Sequence, residues 1–224
     1  MPLNKDNIYK VKHDFIGHTE YFSKSFDNTD NLMLLCNENL RIATVTNHVP
    51  ISKVASKFNR TLVRKKMQIL LETLQTDFLI SGPRIAVLGL NPHAGDNGLV
   101  GEEEEKIITP VVQNFFKRGH SVYGPYAADG FFGTGQYRNF DAILGMYHDQ
   151  SLIPFKLISF GKGVNYTAGM SVIRVSPDHG VGYDISGQNI ASSSSVLSAI
   201  ALGLKVYHNR LAYLDKSRKN IKEL

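Results

Sequence analysis

Three histidines follow apolar segments of the sequence at similar positions. His48, His93 and His148 each stand one to three residues beyond an apolar run that is typical of a buried strand. Parallel strands lie about 4.8 Å apart, so side chains at the ends of neighbouring strands can converge on one cation. Three neutral imidazoles suit a divalent transition metal and leave coordination positions open for a substrate. Because the spacings match no local metal motif, the alternative that these are ordinary loop histidines stays open.

Two further pairs of polar side chains could contact a small substrate. His18 and Thr19 follow the flexible Gly17, so that an imidazole and a hydroxyl could hold a phosphate or a hydroxyl group. Asp129 and Asp149 could accept hydrogen bonds from a substrate amine or hydroxyl. Isolated aspartates in loops more often cap helices or form turns, and this alternative also stays open.

A lysine, an asparagine and an arginine lie within or beside apolar segments near the end of the chain. Lys156 and Arg174 could bind a phosphate or a carboxylate, with the arginine forking onto two oxygens. Asn165 could add a hydrogen bond in the same region. The competing interpretation is an exposed lysine and a salt-bridged arginine.

No standard nucleotide-binding motif occurs in the sequence. It contains neither G-x-G-x-x-G after a strand nor G-x-x-x-x-G-K-[ST], so a dinucleotide must bind in another way. The best candidate is the glycine-containing loop from His179 to Asn189, where His179 could stack on an adenine. The candidate cofactor contacts in this loop are His179, Gly180, Asp184, Gly187 and Asn189. The long helix predicted after the loop could offer its amino end to a phosphate.

The elements that must position these residues alternate between strands and helices. The patterns predict strands over residues 41–46, 84–90, 121–123 and 142–146, and helices over 59–75, 102–117 and 192–213. Residues 151–160 are predicted to form a helix or an irregular return, and 164–170 and 171–176 an antiparallel pair of strands. This alternation predicts an α/β fold with a mostly parallel sheet, an antiparallel portion and helices on both faces.

Composition excludes several classes of protein. The chain has 224 residues, a net charge of +5 and one cysteine, so it can form no internal disulfide. Its basic residues are scattered rather than set in a stripe with aromatic residues, so we expect no nucleic-acid partner. No apolar run approaches the ~18 residues of a membrane span, and the first residues have no signal-peptide core. We therefore expect no membrane partner and a cytoplasmic location.

Seven sequence motifs together carry a family resemblance. They are P-L-N-K, F-I-G-H-T-E, L-N-P-H-A-G-D-N-G, G-P-Y-A-A-D, G-M-Y-H-D-Q-S-L-I-P-F-K, G-V-N-Y-T-A-G and R-V-S-P-D-H-G-V-G-Y-D-I-S-G. With these motifs the chain resembles the 4-hydroxythreonine-4-phosphate dehydrogenase family of pyridoxal phosphate biosynthesis. They occur in the order of the family and extend from Pro2 to the final helix. The resemblance makes the metal interpretation of the histidines the favoured one.

The resemblance implies a fold, a reaction and an assembly. The fold is a three-layer α/β/α architecture like that of isocitrate and isopropylmalate dehydrogenases. The reaction is oxidation of a phosphorylated hydroxy-amino acid by NAD or NADP, helped by one divalent ion (Zn, Mg, Co or Mn). The 3-keto acid formed then loses carbon dioxide to give 3-amino-2-oxopropyl phosphate. The assembly is a homodimer whose active site is shared between subunits.

The resemblance also assigns roles to individual residues. The metal ligands that it implies, one of them donated across the dimer, are His48, His93 and His148. The substrate-binding residues that it implies are His18, Thr19, Lys156, Asn165 and Arg174, with Asp129 and Asp149 in the motifs that meet the amine and hydroxyl. The loop D-H-G-V-G-Y-D-I-S-G-Q-N is similar to the adenosine-binding loop of β-decarboxylating dehydrogenases.

The sequence departs from the family pattern at two places. The Gly-rich opening G-D-P-A-G-I-G-P-E, which the family has before P-L-N-K, is absent, so residues 1–224 are expected to form a truncated two-lobe dehydrogenase unit. No internal boundary is evident. In the cofactor loop, Gln188, Asn189 and the serines at 192–195 replace the usual G-K-G-x-A pattern. We expect this change to alter contacts with the cofactor rather than the fold.

Two other functions remain compatible with the sequence. A paralogue that oxidises 4-phospho-D-threonate or 4-phospho-D-erythronate would share the same histidines. A catalytically inactive remnant would keep the core and serve only as a binding or structural protein. An acyltransferase, which a related fold would allow, has no motif support.

Overall fold

A seven-stranded mixed sheet forms the centre of the computed structural model of this protein. The structure describes residues 30–159, 161–180 and 182–222, together with the isolated residues 8, 10 and 26. The strands are β1 (Leu32–Cys36), β2 (Arg41–Thr44), β3 (Ile85–Leu88), β4 (Val122–Tyr126), β5 (Ala142–Gly145), β6 (Val164–Ala168) and β7 (Arg174–Pro177). Their order in the sheet is β4-β3-β5-β2-β1-β6-β7.

The two halves of the sheet differ in strand direction. Strands β4, β3, β5 and β2 pair in parallel, whereas β2–β1, β1–β6 and β6–β7 are antiparallel. The predicted mostly parallel sheet is therefore correct for one half only. The reason lies in β1, a fully buried strand that the sequence analysis did not predict. A short turn between Cys36 and Arg41 returns the chain into β2, and a connection of that length forces an antiparallel pairing.

In the described ranges, six α-helices accompany the sheet. They are α1 (Ile51–Lys57), α2 (Arg60–Thr76), α3 (Thr109–Lys117), α4 (Ala128–Gly133), α5 (His148–Ser159) and α6 (Ser194–Lys222). Helix α2 begins as predicted, because the side chain of Asn59 accepts a hydrogen bond from the backbone N–H of Leu62 at 2.9 Å. Helix α3 continues from a π-helical turn, Glu104–Ile108. Among the described residues, no helix is long and apolar enough to cross a membrane.

Helices cover both faces of the sheet and create two cores. Side chains of a strand alternate between its faces, so that Leu144 of β5 packs in one core and Ile143 in the other. The first core contains residues of α2, α3 and α6, and the second contains Phe131 of α4 and Phe155 of α5. This arrangement leaves the ends of the strands accessible, and the candidate site lies at one of those ends.

The predicted elements agree with most of the observed ones. The helix at residues 59–75, the strand at 142–146 and the antiparallel pair β6–β7 are confirmed. The final helix is longer than predicted and runs to Lys222. Besides β1, the short helices α1 and α4 were not predicted.

Candidate functional site

The three candidate histidines follow three adjacent parallel strands. His93 comes after β3, His148 is the first residue of α5 directly after β5, and His48 comes after β2. Strand β5 lies between β3 and β2 in the sheet, and all three strands point the same way. The fold therefore places the three residues at the carboxyl edge of the parallel half, where α/β proteins bind their ligands.

His48 and His148 are close neighbours. Their ring centroids are 6.0 Å apart and the ring planes are inclined by 40°. Backbone pairing continues past the ends of β2 and β5, because Thr46 donates its N–H to Met146 O at 3.1 Å and its hydroxyl to the same oxygen at 2.9 Å. These bonds hold the two histidine-bearing segments side by side.

His93 lies in a loop with an uncommon backbone conformation. Residues 89–98, here called the His93 loop, contain His93 itself at φ 53°. The loop is tied to β5 by Gln150, whose Nε2 donates to Gly89 O at 2.6 Å while its Oε1 accepts from Met146 N at 2.7 Å. One amide side chain therefore links the carboxyl ends of β3 and β5.

The three histidines at this edge have the side-chain type that binds divalent metals. The rings of His48 and His148 also lie close enough together to share one ion. Imidazole nitrogens are preferred ligands of zinc and related ions, and one ion can take several from neighbouring segments. Within the described part of this single chain, no three His, Cys, Asp or Glu side chains form a group that could hold an ion. The pair His48 and His148 therefore supplies a partial ligand set, which His93 does not complete inside one chain.

The two candidate aspartates border the histidines. Asp149 is 63% exposed, and its Oδ2 lies 3.5 Å from Nδ1 of His148. Asp129 is exposed in the first turn of α4, a helix that lies against the His93 loop. Asp129 was expected in a loop, and its helical position was not predicted because α4 has only six residues.

Lys156 contacts a carboxylate that the sequence analysis did not single out. Its Nζ lies 3.5 Å from Oδ1 of Asp178, whose side chain is only 15% exposed. Burial raises the pKa of Asp178, and the nearby Lys156 opposes that effect. The motif P-D-H-G contained Asp178, but an aspartate that follows a proline in a glycine-containing segment is also an ordinary turn former.

Asn165 and Arg174 lie on the paired strands β6 and β7. The neighbouring Tyr166 belongs to the first core, so Asn165 faces the other side of the sheet, where α5 packs. The buried Oδ1 of Asn165 has no hydrogen-bond partner within the described ranges of the chain. Arg174 pairs in register with Thr167 and donates from Nη1 to its hydroxyl at 3.0 Å. An unsatisfied buried acceptor is the kind of group that a bound ligand completes.

The candidate cofactor loop starts at the opposite edge of the sheet. Strand β7 runs antiparallel to β6, so it ends beside the amino ends of the parallel strands. The side chain of His179 is exposed, and its Nδ1 lies 3.1 Å from the adjacent Gly180 O. Gly187 and Asn189 have positive φ, and Asp184 O accepts from a neighbouring glutamine at 2.7 Å. The loop therefore begins at the edge of the sheet opposite the carboxyl ends of β2, β3 and β5.

A cavity of about 460 Å³ is lined by none of the predicted site residues. It lies at the amino ends of the parallel strands, between the β1–β2 turn and the ends of α5 and α6, and its wall includes Arg41 and Lys162. The predicted substrate residues His18 and Thr19 lie outside the described part of the chain.

Comparisons with known proteins agree on one family. The family model described as pyridoxal phosphate biosynthetic protein PdxA matches residues 1–203. The chain is 48% identical over 210 residues to 4-hydroxythreonine-4-phosphate dehydrogenase of Bacteroides thetaiotaomicron, covering 93% of this chain and 58% of that protein. It is 41% identical over 213 residues to the protein of the same name from Prosthecochloris aestuarii, covering 94% and 62% respectively.

Solved structures show the same relationship. The crystal structure of 4-hydroxythreonine-4-phosphate dehydrogenase from Klebsiella pneumoniae superposes with a TM-score of 0.79 at 36% identity, over 92% of this chain and 62% of that one. The chain thus spans about three fifths of the length of the relatives that it matches. It belongs to the family of pyridoxal phosphate biosynthetic proteins PdxA.

Proposed function

We propose that the chain functions in a metal-dependent 4-hydroxythreonine-4-phosphate dehydrogenase. In this reaction 4-phosphooxy-threonine loses a hydride to NAD and a proton from its hydroxyl. The 3-keto acid then releases carbon dioxide and leaves 3-amino-2-oxopropyl phosphate. The observation that carries the proposal is the position of His48, His93 and His148 after three adjacent parallel strands, in a chain of this family.

The three histidines would hold the metal at the carboxyl edge. His48 and His148 contribute two neighbouring imidazoles, and His93 adds a third from the loop after β3. Within the described part of one chain the three histidines do not form a complete ligand group. In the proposed homodimer, the other subunit supplies the missing histidine. When bound, the divalent ion acts as a Lewis acid on the reacting hydroxyl and NAD accepts the hydride. Asp149, beside His148, accepts hydrogen bonds from the substrate amine or hydroxyl, and Asp129 does so from α4.

The charged end of the substrate would be bound away from the histidines. Lys156 and Arg174 supply positive charge for the phosphate and carboxylate, and His18 and Thr19 supply further hydrogen-bond donors. Asn165 offers an amide whose buried Oδ1 has no partner in the described part of the chain. Fixing both ends of the substrate orients the reacting carbon, and such positioning is a large part of catalysis.

The remaining parts of the proposal concern cofactor, architecture and assembly. The loop from His179 to Asn189 would bind the adenosine part of NAD or NADP. The helices on both faces of the sheet support a three-layer, isocitrate-dehydrogenase-like unit with two lobes.

A row of exposed apolar side chains on α6 supports a homodimer, since large apolar patches mark protein interfaces. These side chains are Leu197, Ile200, Leu204, Tyr207, Leu211 and Leu214. The single buried thiol, Cys36, suits a reducing cytoplasm.

The test compares substrates and variants by formation of NADH. With a divalent ion and NAD, we expect turnover of 4-phosphooxy-threonine, and a Lys156→Ala variant should raise KM roughly tenfold or more, because hydrogen bonds to charged groups contribute about 1.5–3 kcal/mol. The matched control is Lys216→Ala, which removes an exposed lysine of α6.

Two results would change the assignment. Faster turnover of 4-phospho-D-threonate or 4-phospho-D-erythronate would favour the paralogue. Absence of NADH formation with every ester, in protein that is folded and metal-loaded, would contradict an enzymatic role and leave a binding or structural one.

A further inference from the structure

The His93 loop adopts a conformation that requires support from outside the loop. Four of its residues other than glycine have left-handed backbone angles, a conformation that residues with a Cβ seldom adopt. They are His93 (φ 53°), Ala94 (φ 51°), Asp96 (φ 43°) and Asn97 (φ 53°). Such strain persists only where neighbouring groups determine the conformation.

The carboxylate of Glu104 supplies that support. Its side chain is 3% exposed. Oε1 accepts hydrogen bonds from the backbone N–H groups of Leu90 and Asn91, each at 2.7 Å, and Oε2 accepts from Asn91 Nδ2 at 2.9 Å. Hydrogen bonds to an ionised acceptor are stronger than neutral ones. Three of them therefore fix the segment that enters the left-handed turn.

Two glycines make room for this carboxylate. A Cβ at Gly95 would lie 2.7 Å from Glu104 Oε2, and a Cβ at Gly89 would lie 3.1 Å from Oε1 and 2.8 Å from Cα of Ala94. At either glycine, a side chain would fit only if its neighbours moved. The loop is therefore wrapped around the carboxylate, and His93 lies between the two glycines.

The backbone that carries Glu104 is also unusual. Glu104 begins the π-helical turn Glu104–Ile108, which leads into α3. Turns of this kind contain one more residue than an α-helical turn and occur frequently at functional sites. Glu104 is buried beneath the loop, and its hydrogen bonds to the loop come from Leu90 and Asn91.

We propose that Glu104 is a positioning residue that sets the direction of the His93 imidazole at the carboxyl edge of the sheet. The inference rests on the proposed role of His93 as a metal ligand. Residues that orient metal ligands typically contribute 10–100-fold to affinity or activity, as a general estimate. Glu104 would do so through the backbone of the loop rather than by contact with the ring.

The test measures Zn²⁺ affinity of the purified full chain by calorimetry, with thermal unfolding recorded for each variant. Glu104→Gln keeps the shape of the side chain but removes the charge and sets an NH₂ group against Asn91 Nδ2. We expect it to weaken Zn²⁺ binding roughly 10–100-fold. The matched control is Glu103→Gln, because Glu103 also accepts a bond from Asn91 Nδ2, at 2.8 Å, but holds no backbone N–H of the loop. The control should bind Zn²⁺ within about twofold of the wild type.

A double-mutant cycle with His93→Ala separates positioning from general stabilisation. If Glu104 acts through His93, adding Glu104→Gln to His93→Ala should cause no further loss of Zn²⁺ affinity. An equal loss in both backgrounds, or unchanged affinity in Glu104→Gln while His93→Ala binds weakly, would overturn the positioning role. Unchanged affinity in His93→Ala is a separate result that would remove His93 from the proposed metal site.

A second variant covers the case in which Glu104→Gln does not fold. Asn91→Ala removes the bond to Oε2 and leaves both backbone bonds to Oε1 in place. A smaller loss of Zn²⁺ affinity, again absent in the His93→Ala background, is expected. Wild-type affinity in Asn91→Ala would count against the proposal.

Discussion

Individual side chains at the two edges of the sheet differ in their exposure and in their hydrogen-bond pairing. At one edge His48 is exposed, and its ring lies beside that of His148. Near the other, the carboxylate of Asp178 is largely buried with one lysine at 3.5 Å, and Asn165 Oδ1 has no hydrogen-bond partner among the described residues. Buried polar groups without full pairing cost stability, so folds retain them chiefly where a ligand or a reaction uses them.

The buried carboxyl of Asp178 should make stability depend on pH. Because burial raises its pKa in the folded state, the native protein binds the proton more tightly than the unfolded chain does. Stability from this group is thus present at low pH and is lost as pH rises from the ordinary aspartate pKa through the raised one. Asp178→Asn should remove this loss, so that the variant gains stability relative to wild type as pH rises above the ordinary aspartate pKa.

Chemical denaturation at several pH values measures the effect. Asp215→Asn, which removes an exposed carboxylate on α6, is the control and should follow the wild-type profile. Parallel profiles for Asp178→Asn and the wild type would show that the folded-state pKa is not raised.

At the residue scale, the predicted positions of the three histidines after strands were correct, whereas their role as metal ligands stays a prediction. His48, His93 and His148 were expected after strands, and the sheet places them there. Asp178 and Glu104 were missed, because their roles depend on burial and on partners distant in sequence. A run of four glutamates gives no sign that one of them turns inward to bind a loop.

At the scale of elements, one polar network joins α6 to the rest of the fold. Arg210 donates from Nε to Asp77 Oδ1 at 2.7 Å and from Nη2 to the hydroxyl of Tyr166 at 3.0 Å. Asp77, at the end of α2, is 2% exposed, and Tyr166 is a core residue of β6. Burial and the neighbouring Asp77 both raise the pKa of Tyr166, so its hydroxyl stays protonated.

Removing the arginine should leave a buried carboxylate without its charge partner. Arg210→Met is expected to lower the free energy of unfolding by roughly 3 kcal/mol, as breaking a buried ion pair does. Arg218→Met, at an exposed position of the same helix, should change it by less than about 0.5 kcal/mol. Urea unfolding gives both values. Equal effects of the two substitutions would contradict the importance of the network.

Local signals predicted some elements well and others poorly. The helix at residues 59–75 carries its own cap and apolar periodicity, so its start was predicted correctly. Strand β1 has only five apolar residues, a run too short to distinguish a strand from a buried helix. The antiparallel half of the sheet follows from β1, so the error in one element changed the predicted topology.

At the scale of the whole molecule, the surface of α6 is incompletely covered. Its exposed apolar side chains recur every three or four residues, which is the spacing of a helix face that packs against protein. This face is the one that we propose packs against a second copy of the chain. It was not predictable from local sequence, because it depends on what the fold leaves exposed. The resemblance to the family implies a homodimer, and that assembly stays a prediction.

The central claim is that His48, His93 and His148 form one metal site. The most direct measurement is the divalent-metal content per subunit of the wild type and of three single variants, His48→Ala, His93→Ala and His148→Ala, with folding checked by circular dichroism. We expect close to one ion per subunit in the wild type and loss of the ion in each folded variant. Full metal content in any of the three variants would contradict it.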